Sequence, residues 1–272
     1  MVGEASGPGS AAAGLSTSVG AAYDQAAAGW DSGPGRMYAD LSRALLAQPD
    51  VPAAGNSVLD LGAGTGAAGA AALAAGATRV VAADIAPGML RHCPRSLHPL
   101  AADASALPFA DASFGLAVAA FCLGHLADLP ACLGELRRVC GGLAASAFAP
   151  GWTHPAKQAV DEVLRAAGFR APEWYLRFKE QTEPRGADAA GLERQLAAAG
   201  FGGVQARTVV VRTRVSAPAE FASWRLGMAH VAPWVAALNP ARQAEIRQAA
   251  QSAAARTGAG PLEVVMLVVT AR

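Results

Sequence analysis

Residues 58–66 read Val-Leu-Asp-Leu-Gly-Ala-Gly-Thr-Gly, and this stretch decides the fold. Its apolar start belongs to a short run from residue 57 that predicts a buried strand ending at Leu61. The alanine-rich stretch at 67–75 predicts a helix directly afterwards. The candidates for ligand binding in the loop between them are the small residues Gly62, Ala63, Gly64 and Gly66. Because small residues let a ligand approach the backbone amides at a helix N-terminus, the stretch predicts a nucleotide-binding turn.

The alternation of strands and helices continues along the chain. A second apolar strand at 79–83 completes a β-α-β unit, which predicts a parallel sheet. The run at 114–121 is apolar almost throughout, as is typical of a strand buried on both faces. Further strands are predicted at 97–101, 143–148, 204–215 and 262–270, and further helices from about 87 and at 129–139, 155–167, 189–199 and, as a pair capping the sheet edge, within 219–255. The predicted fold class is therefore α/β, a Rossmann-like, mostly parallel seven-stranded sheet flanked by helices.

The domain organisation follows from composition and pattern. Residues 1–20 are rich in Gly, Ala and Ser and predict a flexible tail, and residues 21–272 predict a single domain. Its predicted parts are a helical lid at 21–50, a cofactor-binding core at 56–149, and substrate-cap insertions at 150–200 and 217–257. The caps carry most of the tryptophans, which favours an apolar acceptor pocket.

Charge and cysteine content exclude several classes of function. The chain has 22 Lys and Arg against 21 Asp and Glu, and no basic run is interleaved with aromatic residues. This balance predicts no nucleic-acid partner. The four cysteines form no C-x-x-C pair, which predicts no metal site. We find neither a signal peptide pattern nor an apolar run long enough for a membrane, so we expect a cytoplasmic monomer or homodimer with no membrane partner.

Three acidic residues bear on the identity of the nucleotide. The residues Gly64-x-Gly66-x-x-Gly69 also satisfy the dinucleotide fingerprint, so an NAD-dependent oxidoreductase stays open as an alternative. Asp60, however, would repel a pyrophosphate and favour a cationic amino-acid ligand such as that of S-adenosyl-L-methionine (SAM). Asp84 ends the second strand, where it can accept ribose hydroxyls of either cofactor. Asp103 follows the third strand and is placed to receive an adenine amino group.

Four ordered motifs carry a family resemblance. They are V-L-D-L-G-A-G-T-G, V-V-A-A-D-I-A-P-G-M-L, A-D-A-S-A-L-P-F-A-D-A-S-F, and the strand 114–121 followed by Gly124-His125-Leu126. Together they cover about 56–149 and resemble the class I SAM-dependent methyltransferases, in particular the small-molecule group that includes ubiquinone and menaquinone biosynthesis enzymes. The sequence departs from that family at Arg138-Val139-Cys140, where many relatives have Arg-Pro.

The resemblance implies a role for each matching residue. Methyl transfer from SAM to a small molecule is the implied activity, on oxygen, carbon or nitrogen. The implied contacts with SAM are Asp60 and the loop residues Gly62, Ala63, Gly64 and Gly66 at the methionine portion, Asp84 at the ribose, Ile85 at the adenine face, Asp103 and Ala104 at the adenine edge, Phe121 at the sulfonium, and Tyr23 from the N-terminal helix.

His125 is the candidate catalytic base. It follows the fourth strand, and parallel sheets bind ligands at the carboxyl ends of their strands. A histidine suits the removal of a proton from a phenol or enol during direct displacement at the sulfonium carbon. His154 and His230 are weaker candidates. The pair Tyr175-x-x-x-Lys179 matches short-chain dehydrogenases only by chance, whereas a non-methylating protein of the same fold, cyclase-like or merely SAM-binding, remains an alternative.

Overall fold

The computed structural model describes the backbone of residues 8–272 and the side chains of residues 18–272, and its centre is one seven-stranded sheet. The strands are β1 (Ser57–Leu61), β2 (Arg79–Asp84), β3 (Pro99–Ala101), β4 (Leu116–Ala120), β5 (Leu143–Phe148), β6 (Gln205–Arg212) and β7 (Glu263–Ala271). Their spatial order is β3-β2-β1-β4-β5-β7-β6. Strands β1 to β5 pair in parallel, and β7 runs antiparallel to both β5 and β6. The predicted Rossmann-like, mostly parallel sheet is confirmed.

Helices cover both faces of this sheet. They are α1 (Pro8–Trp30), α2 (Pro34–Leu46), α3 (Ala67–Ala74), α4 (Pro87–Leu90), α5 (Leu129–Val139), α6 (Pro155–Ala166), α7 (Glu173–Arg177), α8 (Glu183–Ala187), α9 (Ala189–Ala198), α10 (Pro218–Leu226), α11 (Ala232–Ala236) and α12 (Pro240–Arg256). Short 3-10 turns occupy Arg95–Leu97 and Leu123–His125, and a π-helical turn occupies Phe178–Thr182. Within the described residues, we find no helix that is both long and apolar enough to cross a membrane.

Alternate residues of the central strands face two separate cores. Val58 of β1 and Val118 of β4 pack in one core with α2, α3, α6, α10 and α12. Leu59, the next residue of β1, packs in the other core with α5 and α9. Residues 58–61 of β1 are buried on both sides of the sheet, which is why the strand shows no regular alternation of apolar and polar residues. Two helical layers therefore fix the sheet and leave its carboxyl edge as the place where loops converge.

Several predicted boundaries differ from the observed ones. Residues 1–7 of the predicted tail lie outside the described residues, and residues 8–20 belong to α1. The two helices predicted within 219–255 are three, because a turn around Gly227 separates α10 from α11. The longest of them, α12, does not cap the sheet edge. Helix α12 packs on α6 and α10, with Ile246 and Ala250 in the core of one sheet face.

Candidate functional site

A cavity of about 370 Å³ opens at the carboxyl ends of β1, β2 and β4, with α1 as one wall. It is bordered by every residue that the sequence predicts for the site except Gly66. Gly66 is instead the N-cap of α3 with a φ of 90°, where a Cβ would lie 2.7 Å from Leu97 Cδ1. The sheet thus brings together residues that are up to 102 positions apart in the chain, as Tyr23 and His125 are.

The glycine loop is shaped by its own hydrogen bonds. The amides of Gly62 and Ala63 donate to the carbonyl of Ala83, at 2.9 and 3.1 Å. The amide of Gly64 donates to Asp84 Oδ2 at 2.7 Å. These three amides already have partners within the protein, which fixes the shape of the loop. The glycines provide space: Gly62 has a φ of 68°, and a Cβ there would lie 2.6 Å from Cys122 Sγ.

Asp60 is a buried acid with half of its carboxylate unused. Its side chain is 1% exposed, and Oδ2 accepts from the amide of Gly69 at 2.7 Å. Oδ1 is buried and, among the described residues, has no hydrogen-bond partner. The pKa of Asp60 is raised to about 7, mainly by burial and to a smaller extent by the negative charge of Asp84, while the hydrogen bond from Gly69 acts in the opposite direction. A cationic ligand group in the cavity would both satisfy Oδ1 and stabilise the charged carboxylate.

Asp84 ties the end of β2 to two loops. Oδ2 accepts from Gly64 as described, and Oδ1 accepts from the amide of Ala86 at 2.8 Å. Burial raises the pKa of this carboxyl, while the two backbone hydrogen bonds act in the opposite direction. Each carboxylate oxygen has a second lone pair, so both can still accept a hydrogen bond from a ligand.

The far end of the cavity is more exposed. Ile85 is 40% exposed and presents an apolar surface next to Gly20 of α1. Asp103 lies in the loop after β3, where its Oδ1 accepts from the amide and the hydroxyl of Ser105, at 2.8 and 2.7 Å. Ala104 borders the cavity beside it. An apolar face and an acidic edge are thus available to a flat heteroaromatic group.

Polar contacts of α1 and of the residue that follows it hold this helix over the cavity. Tyr23 Oη and His125 Nε2 hydrogen-bond at 3.2 Å. Asp24 accepts from the amide of Gly88, and Asp31 accepts from the hydroxyl of Thr65 at 2.7 Å. Sequence reasoning missed Asp24, although it directly follows the candidate Tyr23 in the chain.

His125 stands between aromatic rings. Its imidazole stacks on Phe178 with centroids 4.2 Å apart and meets Tyr23 edge-on. Its Nδ1 is buried and has no hydrogen-bond partner in residues 18–272, whose side chains the structure describes. Loss of solvent lowers the pKa of His125 to about 4, so the ring is neutral at neutral pH. A neutral imidazole can accept a proton, but one with so low a pKa is a weaker base than an ordinary histidine.

A second cavity, of about 810 Å³, adjoins the first. Four side chains border both cavities: Tyr23, Tyr38, Phe121 and His125. The other rings of its wall are Phe148, Trp152, Trp174, Tyr175, Phe178, Trp224 and His230. Phe121 has a φ of 55°, which is unusual for a bulky residue and is a strain typical of functional sites. The second cavity is therefore an aromatic chamber that opens beside the first.

The two weaker histidine candidates differ in their position relative to the cavities. His154 borders neither cavity; its Nδ1 accepts from the amide of Ala156 at the start of α6, at 3.3 Å. His230 borders the second cavity and stacks on Tyr175 with centroids 3.7 Å apart. Burial, together with nearby cations led by Arg225, lowers the pKa of His230 well below its usual range. Tyr175 and Lys179 form no pair of the dehydrogenase kind here, since Lys179 forms an ion pair with Glu183.

Comparison with known proteins gives a consistent result. Residues 58–141 match the family model of a methyltransferase domain. The demethylmenaquinone methyltransferase of Mycobacterium sp. (strain JLS) is 35% identical over 167 residues, which are 57% of this chain and 71% of that protein. The malonyl-[acyl-carrier protein] O-methyltransferase of Pseudescherichia vulneris is 39% identical over 166 residues, 57% of this chain and 64% of that protein.

The fold also matches solved structures. A protein of Anabaena variabilis ATCC 29413, described as a methyltransferase from an antibiotic biosynthesis pathway, superimposes with a TM-score of 0.60. The match covers 85% of this chain and 96% of that one at 14% identity. At this identity the likeness concerns the fold alone.

Proposed function

Because the chain belongs to the class I SAM-dependent methyltransferases, we propose that it methylates a largely apolar small molecule held in the second cavity. The two relatives named above act, by their names, on a demethylmenaquinone and on a malonyl-[acyl-carrier protein]. Since these acceptors differ in chemistry, the proposal for this chain rests on the walls of its own cavity.

The first cavity suits SAM residue by residue. The unpartnered Oδ1 of Asp60 is an acceptor for the ammonium of the methionine portion. Asp84 retains lone pairs for the ribose hydroxyls, and Ile85 offers an apolar face for the adenine. When bound, SAM supplies a methyl group already activated on a sulfonium. The protein therefore has to position and desolvate the reactants rather than form a covalent intermediate.

One observation carries the proposal, namely that the two cavities share a wall. Tyr23, Tyr38, Phe121 and His125 border both of them, so an acceptor in the second cavity lies beside a cofactor in the first. Holding the reactants at such a junction makes the displacement effectively unimolecular, which can supply most of the acceleration. Aromatic side chains at the junction also keep water away from the reacting atoms.

The walls of the second cavity favour a planar acceptor. Rings at many orientations form this wall, and aromatic faces bind flat unsaturated molecules by stacking and edge contacts. Most of them come from the segments 150–200 and 217–257, which supports the role of those segments as substrate caps. The neutral imidazole of His125 is available to take the proton that a hydroxyl acceptor loses.

Methyl transfer itself is the direct test. Purified protein should bind S-adenosylhomocysteine (SAH) in a calorimeter and should move label from methyl-labelled SAM to planar naphthols or naphthohydroquinones. Binding of SAH without transfer to any acceptor of this panel, while the protein converts such a compound in another way, would favour a non-methylating role. Binding of NADH but not SAH would favour the oxidoreductase alternative.

Replacing Asp84 should weaken the cofactor specifically. We expect Asp84→Asn to lower SAH affinity about 10- to 100-fold, because hydrogen bonds to a charged group contribute about 1.5–3 kcal/mol each. Asn also cannot accept from both Gly64 and Ala86 with the same strength. Calorimetry of the variant measures the loss, and Glu162→Gln on the exposed face of α6 is the matched control with unchanged affinity.

Arg138 positions the loop that carries Asp103. Its Nη1 donates to the carbonyl of Phe109 at 2.6 Å and its Nη2 to that of Leu107 at 3.0 Å. We expect Arg138→Met to lower the Tm, since the partly buried carbonyls of Leu107 and Phe109 lose a donor. SAH affinity should fall severalfold because the loop loosens. Thermal unfolding and calorimetry check both effects, with Arg137→Met on the same helix as the control that retains affinity.

A further inference from the structure

A compact group of charges lies where α6 meets α10 at the second cavity. Asp161 of α6 accepts from Lys157 Nζ at 2.8 Å and from Arg225 Nε at 2.8 Å. Arg225 Nη2 lies 2.7 Å from the same carboxylate, and Arg225 is only 5% exposed. Two cations therefore share one anion at a largely buried position. The group, which we call the α6–α10 cluster, carries a net charge of +1.

The other charges of the cavity wall do not neutralise this excess. Lys179 forms an ion pair with Glu183, which balances both. Asp188 lies near Arg194, at 4.0 Å, on an exposed part of the surface. Both cations of the α6–α10 cluster border the cavity, whereas their shared anion, Asp161, is absent from its wall. The cavity wall thus presents an uncompensated positive charge.

An unused hydrogen-bond donor adjoins the same group. Trp224 precedes Arg225 on α10, borders the second cavity and is 2% exposed. Its indole Nε1 is buried and has no hydrogen-bond partner in the described part of the chain. A buried N–H without a partner costs about 1–3 kcal/mol, and an indole N–H can only donate. An acceptor atom supplied by a ligand is the group that it lacks.

We propose that the α6–α10 cluster and Trp224 bind an anionic oxygen group of the methyl acceptor, so that the substrate is a planar apolar molecule bearing a carboxylate or an ionised hydroxyl. This assignment rests on the proposed function, because it names the class of acceptor for that same cavity. Positive charge and a lone N–H donor suit an oxygen anion, and desolvation strengthens their attraction. The aromatic rings around them hold the planar remainder of the molecule.

Two probes of nearly the same shape, one anionic and one neutral, test this inference. Calorimetry on the full-length protein first measures SAH, and then 2-naphthoate and 2-naphthamide in the presence of saturating SAH. We expect 2-naphthoate to bind at least 10-fold more tightly than the amide of nearly the same shape. 2-Naphthol titrated at a pH below and a pH above its own ionisation distinguishes an ionised hydroxyl from a carboxylate as the preferred anion.

Variants locate the effect on the cluster. Lys157→Met should reduce the preference for naphthoate over naphthamide about 5- to 10-fold. Trp224→Phe removes the N–H donor together with part of the ring; the loss of packing affects both probes alike, so a severalfold drop in the preference reports the lost donor. Arg165→Met is the control, since it removes one positive charge from an exposed position of the same helix. SAH affinity should stay unchanged in all three variants, which shows that they fold.

Three outcomes overturn the inference. Naphthoate and naphthamide could bind equally, neither could bind, or Arg165→Met could reduce the preference as much as Lys157→Met. In each case SAH binding leaves the proposed methyltransferase function standing. Absence of SAH binding in the first titration instead contradicts the proposed function and the acceptor assignment with it.

Discussion

Asp60→Asn should weaken SAH binding by two to three orders of magnitude and, at the same time, stabilise the ligand-free protein at pH 8. The loss of affinity follows from Oδ1, a buried carboxylate oxygen without a hydrogen-bond partner among the described residues, to which the proposed function assigns the ammonium of the ligand. Removing one member of a buried charge pair costs about 3–5 kcal/mol. The neutral amide of Asn would instead present an N–H group to the ligand's ammonium.

The gain in stability follows from the raised pKa of Asp60. An unperturbed Asp ionises near pH 3.8, and this one ionises at about 7 in the folded protein. Ionisation is therefore harder in the folded state, so the cost appears as the pH rises above 3.8 and is complete above 7. A difference of this size corresponds to about 4 kcal/mol, which Asn does not incur.

Thermal unfolding without ligand should reveal this difference. Asp60→Asn should raise the Tm by several degrees at pH 8 and by less at pH 5, and Glu245→Gln at an exposed position should change it little at either pH. Wild-type SAH affinity should also decline as the pH falls below 7, because a protonated carboxyl pairs poorly with a cation. A variant that is less stable at both pH values and binds SAH normally would contradict the role of Asp60.

His125→Gln should lower kcat about 100-fold while leaving the Kd for SAH within about threefold of the wild-type value. Glutamine retains a hydrogen-bonding group for Tyr23 but cannot take a proton. The expected loss lies at the lower end for a general base because a pKa of about 4 limits the basicity of His125. A fully active variant would remove His125 from the mechanism.

The pH profile gives an independent readout. His125 acts in its neutral form, and burial lowers its pKa, so this form persists until the pH falls through about 4. The rate at saturating SAM should therefore show no inflection near pH 6.5 that can be assigned to His125. The wild-type profile and that of His125→Gln should have the same shape in this region. An inflection near pH 6.5 that is lost in His125→Gln would instead show that the imidazole of His125 is hydrated. Tyr23→Phe, which removes the hydroxyl beside Nε2 of His125, should lower kcat less than His125→Gln does.

The sequence predicted the parts of the site that depend on local pattern. Residues 58–61 show no alternation of apolar and polar side chains, because β1 is buried on both faces of the sheet. The glycines that follow mark the turn. The strand, the loop and the helix could therefore all be located from the sequence. Their hydrogen-bond partners could not, since the loop amides bond to Ala83 and Asp84 of a neighbouring strand. Register across a sheet sets those contacts, and no local pattern encodes it.

Other features depend on contacts between distant segments. The stacking of His125 on Phe178 joins a turn after β4 to a π-helical turn in a cap, and its effect on the pKa is invisible in the sequence. The start of α1 at Pro8 was missed because a stretch of Gly, Ala and Ser lacks an apolar period. That Trp224 Nε1 is buried without a partner among the described residues likewise depends on how α10 packs against the rest of the protein, and the sequence does not show it.

Helix α1 contributes to the walls of both cavities. Tyr23 is a wall of both, and it is attached to the rest of the molecule through His125 at their junction. Any displacement of this helix therefore changes the enclosure of cofactor and acceptor together. If the protein methylates an acceptor in the second cavity, as we propose, a displacement of α1 would link the exchange of spent cofactor to the release of the methylated molecule.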